Sequence, residues 1–193
     1  MRTRARIVSA AADLFHRQGM NATSVNEILA ASGTGKGQFY QHFRSLDELT
    51  MAVLSNHRDF VAAHAPITSW PELEAFLFEH VRAQESFAFT RGCPIGTAAY
   101  ALQAEQQEYR LILEAALDVQ RRKIAEFLEA EQDSGRLHPD ASPRRLADFA
   151  IAVTQGGLLL SLVSRDGQAF HDAVSEALRH LRSLAIEWKE TAR

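Results

Sequence analysis

The chain has 193 residues, of which 46% are apolar and 23% charged, with 21 Lys/Arg against 24 Asp/Glu and a formal net charge of −3. That is ordinary for a soluble globular protein with a real core, and one cysteine, Cys93, excludes an internal disulfide. No apolar run approaches the ~20 residues that cross a bilayer, and the N-terminal stretch MRTRARIVSAAADLF is broken by Asp13 and does not read as a signal peptide, so a cytoplasmic protein is expected.

The predicted elements are all helices, about nine of them. Helix one covers about 3–18, with Ile7, Ala11, Leu14 and Phe15 on one face and Gly19 ending it. Helix two runs from Ser24 to Ala31 and helix three over about 35–42. Helix four starts at Ser45 and stops before Pro66; a fifth follows Ser69. Ser24-x-x-Glu27, Ser45-x-x-Glu48 and Ser69-x-x-Glu72 each have the spacing of a capping box. After a break at Gly92-Cys93-Pro94 come a short helix near 95–103 and a long one ending near Gly135. Helix eight spans about 143–164, started by Ser142-Pro143, and helix nine about 168–190. Strand signals are missing.

The stretch GTGKGQFYQHF, residues 33–43, sets three glycines around one lysine. Its spacing is not that of a phosphate-binding P-loop, because Ala30 stands where the first glycine is needed and Gly37 follows Lys36. Nor is it a dinucleotide fingerprint, because Gln38 occupies the third glycine position. Between two short helices it reads instead as the turn and second helix of a helix-turn-helix. Gly33 permits the turn and Gly37 permits close approach of another molecule. Lys36 and the free N–H groups at the start of helix three make an anion site, and Tyr40, Gln41 and His42 suit phosphates and base edges. Residues 1–50 carry six Lys/Arg against four acids, a balance of +2, while the rest carries −5. That asymmetry fits a polyanion-binding end on an acidic body.

The run RIVSAAADLFHRQGMNATSVNEILAASGTGKGQFYQHFRSLDELTMAVL, from Arg6 to Leu54, resembles the DNA-binding domain of the TetR family of transcriptional repressors. The resemblance implies an all-α protein: a three-helix helix-turn-helix DNA-binding domain at 1–46, then a helical effector-binding and dimerisation domain at 47–193. It places Thr23, Thr34, Lys36, Tyr40 and His42 at phosphates, and Thr34, Gly37, Gln38 and Gln41 at bases. Two positions depart from the family pattern. Gly35 stands where a Ser is usual, and Leu46 where a Lys is usual, with Arg44 standing in for that charge.

The implied partners are double-stranded operator DNA, a small effector and a second copy of the chain, with no membrane and no cofactor. Helices 143–164 and 168–190 carry apolar stripes suited to a homodimer, and Gly156-Gly157 would let helices approach closely. Aromatics between the two ends favour an apolar or aromatic effector, with Phe60, Phe89, Cys93, Tyr100, Tyr109, Phe127, Phe149 and Val153 as candidate pocket residues. The expected function is a repressor released from a near-palindromic operator, with helix four as the lever. The alternative is a thiol-based repressor sensing electrophiles or oxidants through Cys93, near Arg91 and a helix start. No metal-ligand pattern and no catalytic constellation stands out, so no enzyme is expected; a helical enzyme or scaffold without a DNA role is the remote alternative.

Overall fold

A computed structural model describes residues 3–101 and 107–186, the side chains of Pro94, Tyr100 and Ala101 excepted. Among the described residues there are nine helices: α1 (Thr3–Gln18), α2 (Val25–Ser32), α3 (Lys36–His42), α4 (Leu46–Ala62), α5 (Trp70–Ser86), α6 (Pro94–Ala101), α7 (Gln107–Asp133), α8 (Pro143–Ser164) and α9 (Gln168–Ser183). The N-caps are those the spacing predicts, with one refinement. Ser24 and Glu27 form the full reciprocal box. At Ser45 and Ser69 the hydroxyl accepts as predicted, but Glu48 reaches the N–H of Arg44 (2.7 Å) and Glu72 that of Thr68 (2.7 Å), one residue further back.

The chain divides into two compact units, Met1–Ala63 with Arg91–Asp118, and His64–Thr90 with Val119–Arg193. This division falls after α4, and α7 contributes 107–118 to the first unit and 119–133 to the second. In the first unit Ile7, Val8, Ala11, Phe15, Ile28, Phe39, Phe43, Leu49 and Val53 form one core. Leu54, on the other side of α4, joins Ile95, Ala98, Tyr109, Leu113 and Ala116 in a second. Helix α4 thus has apolar faces on two clusters, which is why its pattern is broader than a single stripe.

In the second unit α8 and α9 pack antiparallel, with the Phe149 ring on His180 (5.5 Å) near one end and Gly157 under Phe170 near the other. A Cβ at Gly157 would lie 2.0 Å from that ring, so this glycine serves packing within the chain, whereas Gly156 faces open space. Helix nine ends at Ser183 and not near 190. The backbone there is captured by the 136–138 segment, His138 N–H donating to Leu184 (2.9 Å) and Ile186 N–H to Arg136 (2.8 Å), around an isolated Leu137–Ala185 bridge. Trp188, expected on its stripe, lies outside the described residues. The expectation about apolar runs also needs correction: Pro143–Ser164, 22 residues, is long and apolar enough by length and composition to cross a bilayer. It is apolar on two faces, one buried against its own unit and one exposed at Phe149, Leu159, Leu160 and Val163.

Candidate nucleic-acid interface

Helix α3 has seven residues, too few to hold together alone. It is held by Phe39, fully buried, whose ring meets Tyr40 edge-on (5.2 Å) and Phe43 (5.9 Å). With those rings fixed, Lys36, Gly37, Gln38, Tyr40, Gln41 and His42 all stand exposed, followed by exposed Arg44. No acidic residue occurs between Glu27 and Asp47. The outward surface of α3 therefore offers an ammonium, a guanidinium, two amides, a phenol and an imidazole with no carboxylate of its own to neutralise them. Such a set donates to phosphates and pairs with base edges.

The turn before α3 is built by more than its glycine. Gly33 adopts the left-handed conformation (φ 60, ψ 39), where a side chain would be strained. Its N–H donates to Ala30 (3.3 Å) and that of Thr34 to Leu29 (3.1 Å), closing α2. Arg6, from α1, forks onto the carbonyls left over: Nε and Nη2 donate to Ser32 O (3.1 and 2.5 Å) and Nη2 also to Gly33 O (2.9 Å). Arg4 lies over the Phe43 ring at 5.1 Å, an additional tie from α1. Neither arginine is a candidate by sequence pattern, since their partners lie more than 25 positions away.

Two of the nine candidate contact residues turn inward. Thr23 is 4% exposed and its hydroxyl donates to Gly19 O (2.8 Å); Thr34 is 8% exposed and its hydroxyl pairs with Ser32 (2.7 Å). Both hydroxyls satisfy the chain itself, because a tight turn leaves no room for solvent around them. Gly35 gives α3 no side-chain cap, as expected from the missing Ser, but Gln38 Oε1 accepts its N–H (3.1 Å). Gln38 is thus partly occupied as a helix-start residue, and Gln41 is the unencumbered amide.

The candidate effector residues fall in both units. Phe60, Cys93, Tyr100 and Tyr109 belong to the first unit, and Phe89, Phe127, Phe149 and Val153 to the second. Phe60 is 63% exposed. Tyr109 is buried and its hydroxyl donates to Asp47 (2.9 Å) at the first turn of α4; burial, with that carboxylate next to it, pushes the phenol well above its ordinary range. Phe127 is buried against Trp70 (5.3 Å), whose indole N–H donates to Glu131 (3.1 Å). Phe89 sits in the left-handed region (φ 54) with its ring against Gly167. Phe149 lines a cavity of about 420 Å³ with His138, Arg145 and His180. Val153 is half-buried on α8, and the Tyr100 side chain lies outside what is described. Cys93 is half-buried, with its carbonyl accepting from Thr97, and the Arg91 guanidinium pairs with Asp13 (3.2 Å).

Residues 7–53 match the model of the tetR family of bacterial regulatory proteins, and residues 70–181 that of the tetracyclin repressor-like C-terminal domain. An uncharacterized HTH-type transcriptional regulator in the lacX 3′ region of Lactococcus lactis subsp. lactis is 33% identical over 174 residues, 85% of this chain and 85% of that protein. The HTH-type transcriptional repressor DhaR of Mycobacterium sp. strain GP1 is 28% identical over 184 residues, 91% of each chain. In fold, the regulatory protein TetR from Rhodobacter sphaeroides superposes with a TM-score of 0.83 over 91% of this chain and 97% of its own, at 22% identity.

Proposed function

The chain belongs to the TetR family and is a DNA-binding transcriptional regulator, and from that premise we propose that it is a homodimeric repressor released from a near-palindromic operator by a small, mainly apolar or aromatic effector. The observation that carries the DNA half is the exposed, acid-free surface of α3 on its buried Phe39 anchor. Lys36, Tyr40, His42 and Arg44 hold phosphates; Gly37, Gln38 and Gln41 face bases. A protein of this kind acts where the DNA is, in the cytoplasm. DhaR, named as a repressor, supports the sign of regulation.

Dimerisation is carried by α8. Phe149, Leu159, Leu160 and Val163 are 40–76% exposed along one side of it, with Gly156 among them open to close approach. The α9 stripe of Phe170, Val174, Leu178 and Leu181 is buried within its own unit, so α9 adds a polar rim and not a second apolar stripe. Within the first unit, Tyr109–Asp47 and the Leu54 cluster tie the N-terminal half of α7 to α4, and α4 to the DNA-binding helices. A shift of α7 on effector binding would therefore move the head. The thiol alternative is not favoured, because the Arg91 guanidinium already pairs with Asp13.

The test is salt-dependent binding to a duplex selected from a random library by the wild-type protein. Lys36→Ala is expected to weaken binding to every sequence and to flatten the salt slope by about one phosphate contact per protomer. An unchanged slope would remove Lys36 from the interface.

A further inference from the structure

Among the described residues, three buried side-chain atoms have no hydrogen-bond partner: Gln84 Oε1, Gln120 Oε1 and Gln155 Nε2. All three lie in the second unit, each on a different helix, α5, α7 and α8. Gln84 is 5% and Gln120 2% exposed. They occupy core stripes, Gln84 following Leu77 and Val81 on α5, and Gln120 preceding Ile124 and Phe127 on α7. A buried amide atom without a partner costs about 1–3 kcal/mol, so three in one unit call for a reason. Every other buried polar side chain among the described residues of that unit is bonded: Thr154 and Ser161 to their own helix, Glu131 to Trp70 and Arg136.

The contacts of the unit bring the three amides to similar depths. Phe78 meets His171 and Glu74 pairs with Arg182, so α5 runs antiparallel to α9 and thus along α8. Arg121 pairs with Asp148 and Gln132 reaches Ala141, so the second half of α7 runs antiparallel to both α8 and α5, with Trp70 against Phe127. Phe78 meets His171, and Gly157 lies under Phe170, which levels the middle of α8 with the middle of α5. Counting about 1.5 Å per residue from those contacts, the three glutamines fall within roughly 12 Å along the helix direction. That is the length of a small molecule. The unit's one buried charged residue among those described, Glu131, is already paired. Half-buried Lys123, three residues after Gln120, donates to the His64 carbonyl, and burial holds His80, one turn before Gln84, toward its neutral form, so the ionisable groups next to the amides are engaged or neutral.

We propose that Gln84, Gln120 and Gln155 are the polar contacts of the effector site, and that the effector is an uncharged molecule, mainly apolar, carrying both a hydrogen-bond donor and an acceptor, as a carboxamide does. Two amide oxygens take its donors and one amide nitrogen meets its acceptor. This rests on the effector-binding reading of the C-terminal helices and narrows it, since a purely apolar effector would leave all three amides unmet.

The experiment is thermal melting of the full chain with benzamide, ethylbenzene or benzoate at equal millimolar concentration, in the wild type, Gln120→Leu and Gln84→Met. Without ligand the variants are expected to melt at or above the wild-type temperature, because an unpaired buried amide is replaced by an apolar group of similar size. Benzamide is expected to raise the wild-type Tm more than the other two probes, and to lose that advantage in both variants. A lower ligand-free Tm in both variants would overturn the proposal, showing the amides to be bonded parts of the fold; so would a benzamide advantage that survives the substitutions. Binding of the probes without discrimination sinks this inference alone. Wild-type protein that binds none of them, yet still binds its selected duplex, sinks the effector-binding reading beneath it.

Discussion

The DNA-binding helices and the C-terminal helices treat buried polar groups in opposite ways. In the first, Thr23, Ser32, Thr34 and Thr50 are all buried and all bonded, and the surface beyond them is polar. In the second, three glutamine atoms are buried without partners, and one side of α8 leaves large apolar groups in water. The head satisfies itself and meets a partner, DNA, that is highly charged. The body satisfies itself only in part, which is what a scaffold awaiting a ligand inside and a second copy outside would look like. Consistency across levels is kept in one region and broken in the other, and the breaks fall where function is proposed.

The sharpest way to break that comparison is at the α8 face. Leu160 is 52% exposed and lies outside the buried core of its own unit, so Leu160→Glu is expected to leave the fold and the head intact. If α8 is the dimer seam, facing carboxylates would separate the copies. Sedimentation should then show a monomer, and affinity for the palindromic duplex should fall by about a hundredfold or more as the linked second half-site is lost. A dimer of unchanged affinity would show that the seam lies elsewhere.

A smaller effect is expected inside the head. Arg6→Ala removes three hydrogen bonds to Ser32 and Gly33, and with charge-assisted bonds to partly exposed carbonyls the loss is about 1–3 kcal/mol. Arg6→Lys should not restore it, since an ammonium cannot fork across two carbonyls. Denaturant unfolding measures both variants; a lysine variant as stable as the wild type would reduce the role of Arg6 to charge alone.

The two regions also differ in how far the sequence reveals them. The helices were legible throughout, because capping serines, terminal glycines and apolar spacing are local signals. The exposed face of α3 was legible for the same reason: one buried Phe39 in seven residues leaves the others outward. What decides Thr34 is not local, since it sits in a turn clamped by a residue of α1, whereas Thr23 turns back onto Gly19 in the loop before α2. The end of α9 is set by the 136–138 segment, some 45 residues earlier, which no pattern within α9 records. Aromatic content points to a pocket without choosing its walls, because each such residue reads equally as core, and the candidates fall in both units. The three glutamines carry no signal of their own in the sequence, because Gln reads as a surface residue until its neighbours are known.

The smallest effect concerns acid and the α1–α2 joint of the head. The Glu27 carboxylate accepts from the Ser24 hydroxyl (2.7 Å), the Ser24 N–H (2.8 Å) and the Gln18 amide (3.0 Å), which together lower its pKa from 4.5 to about 2. Because the folded value lies below the unfolded one, the unfolded chain binds the proton more readily between them. The carboxylate's contribution is therefore complete above about pH 4.5 and is lost as pH falls toward 2. The group is fully exposed, so the loss is slight in stability and best read at the residue. Carboxyl NMR of the wild type is expected to place the Glu27 midpoint well below that of an ordinary glutamate, and Ser24→Ala should raise it. A wild-type midpoint near 4.5 would mean that the box is open in solution, and that the head is less completely satisfied than its buried threonines imply.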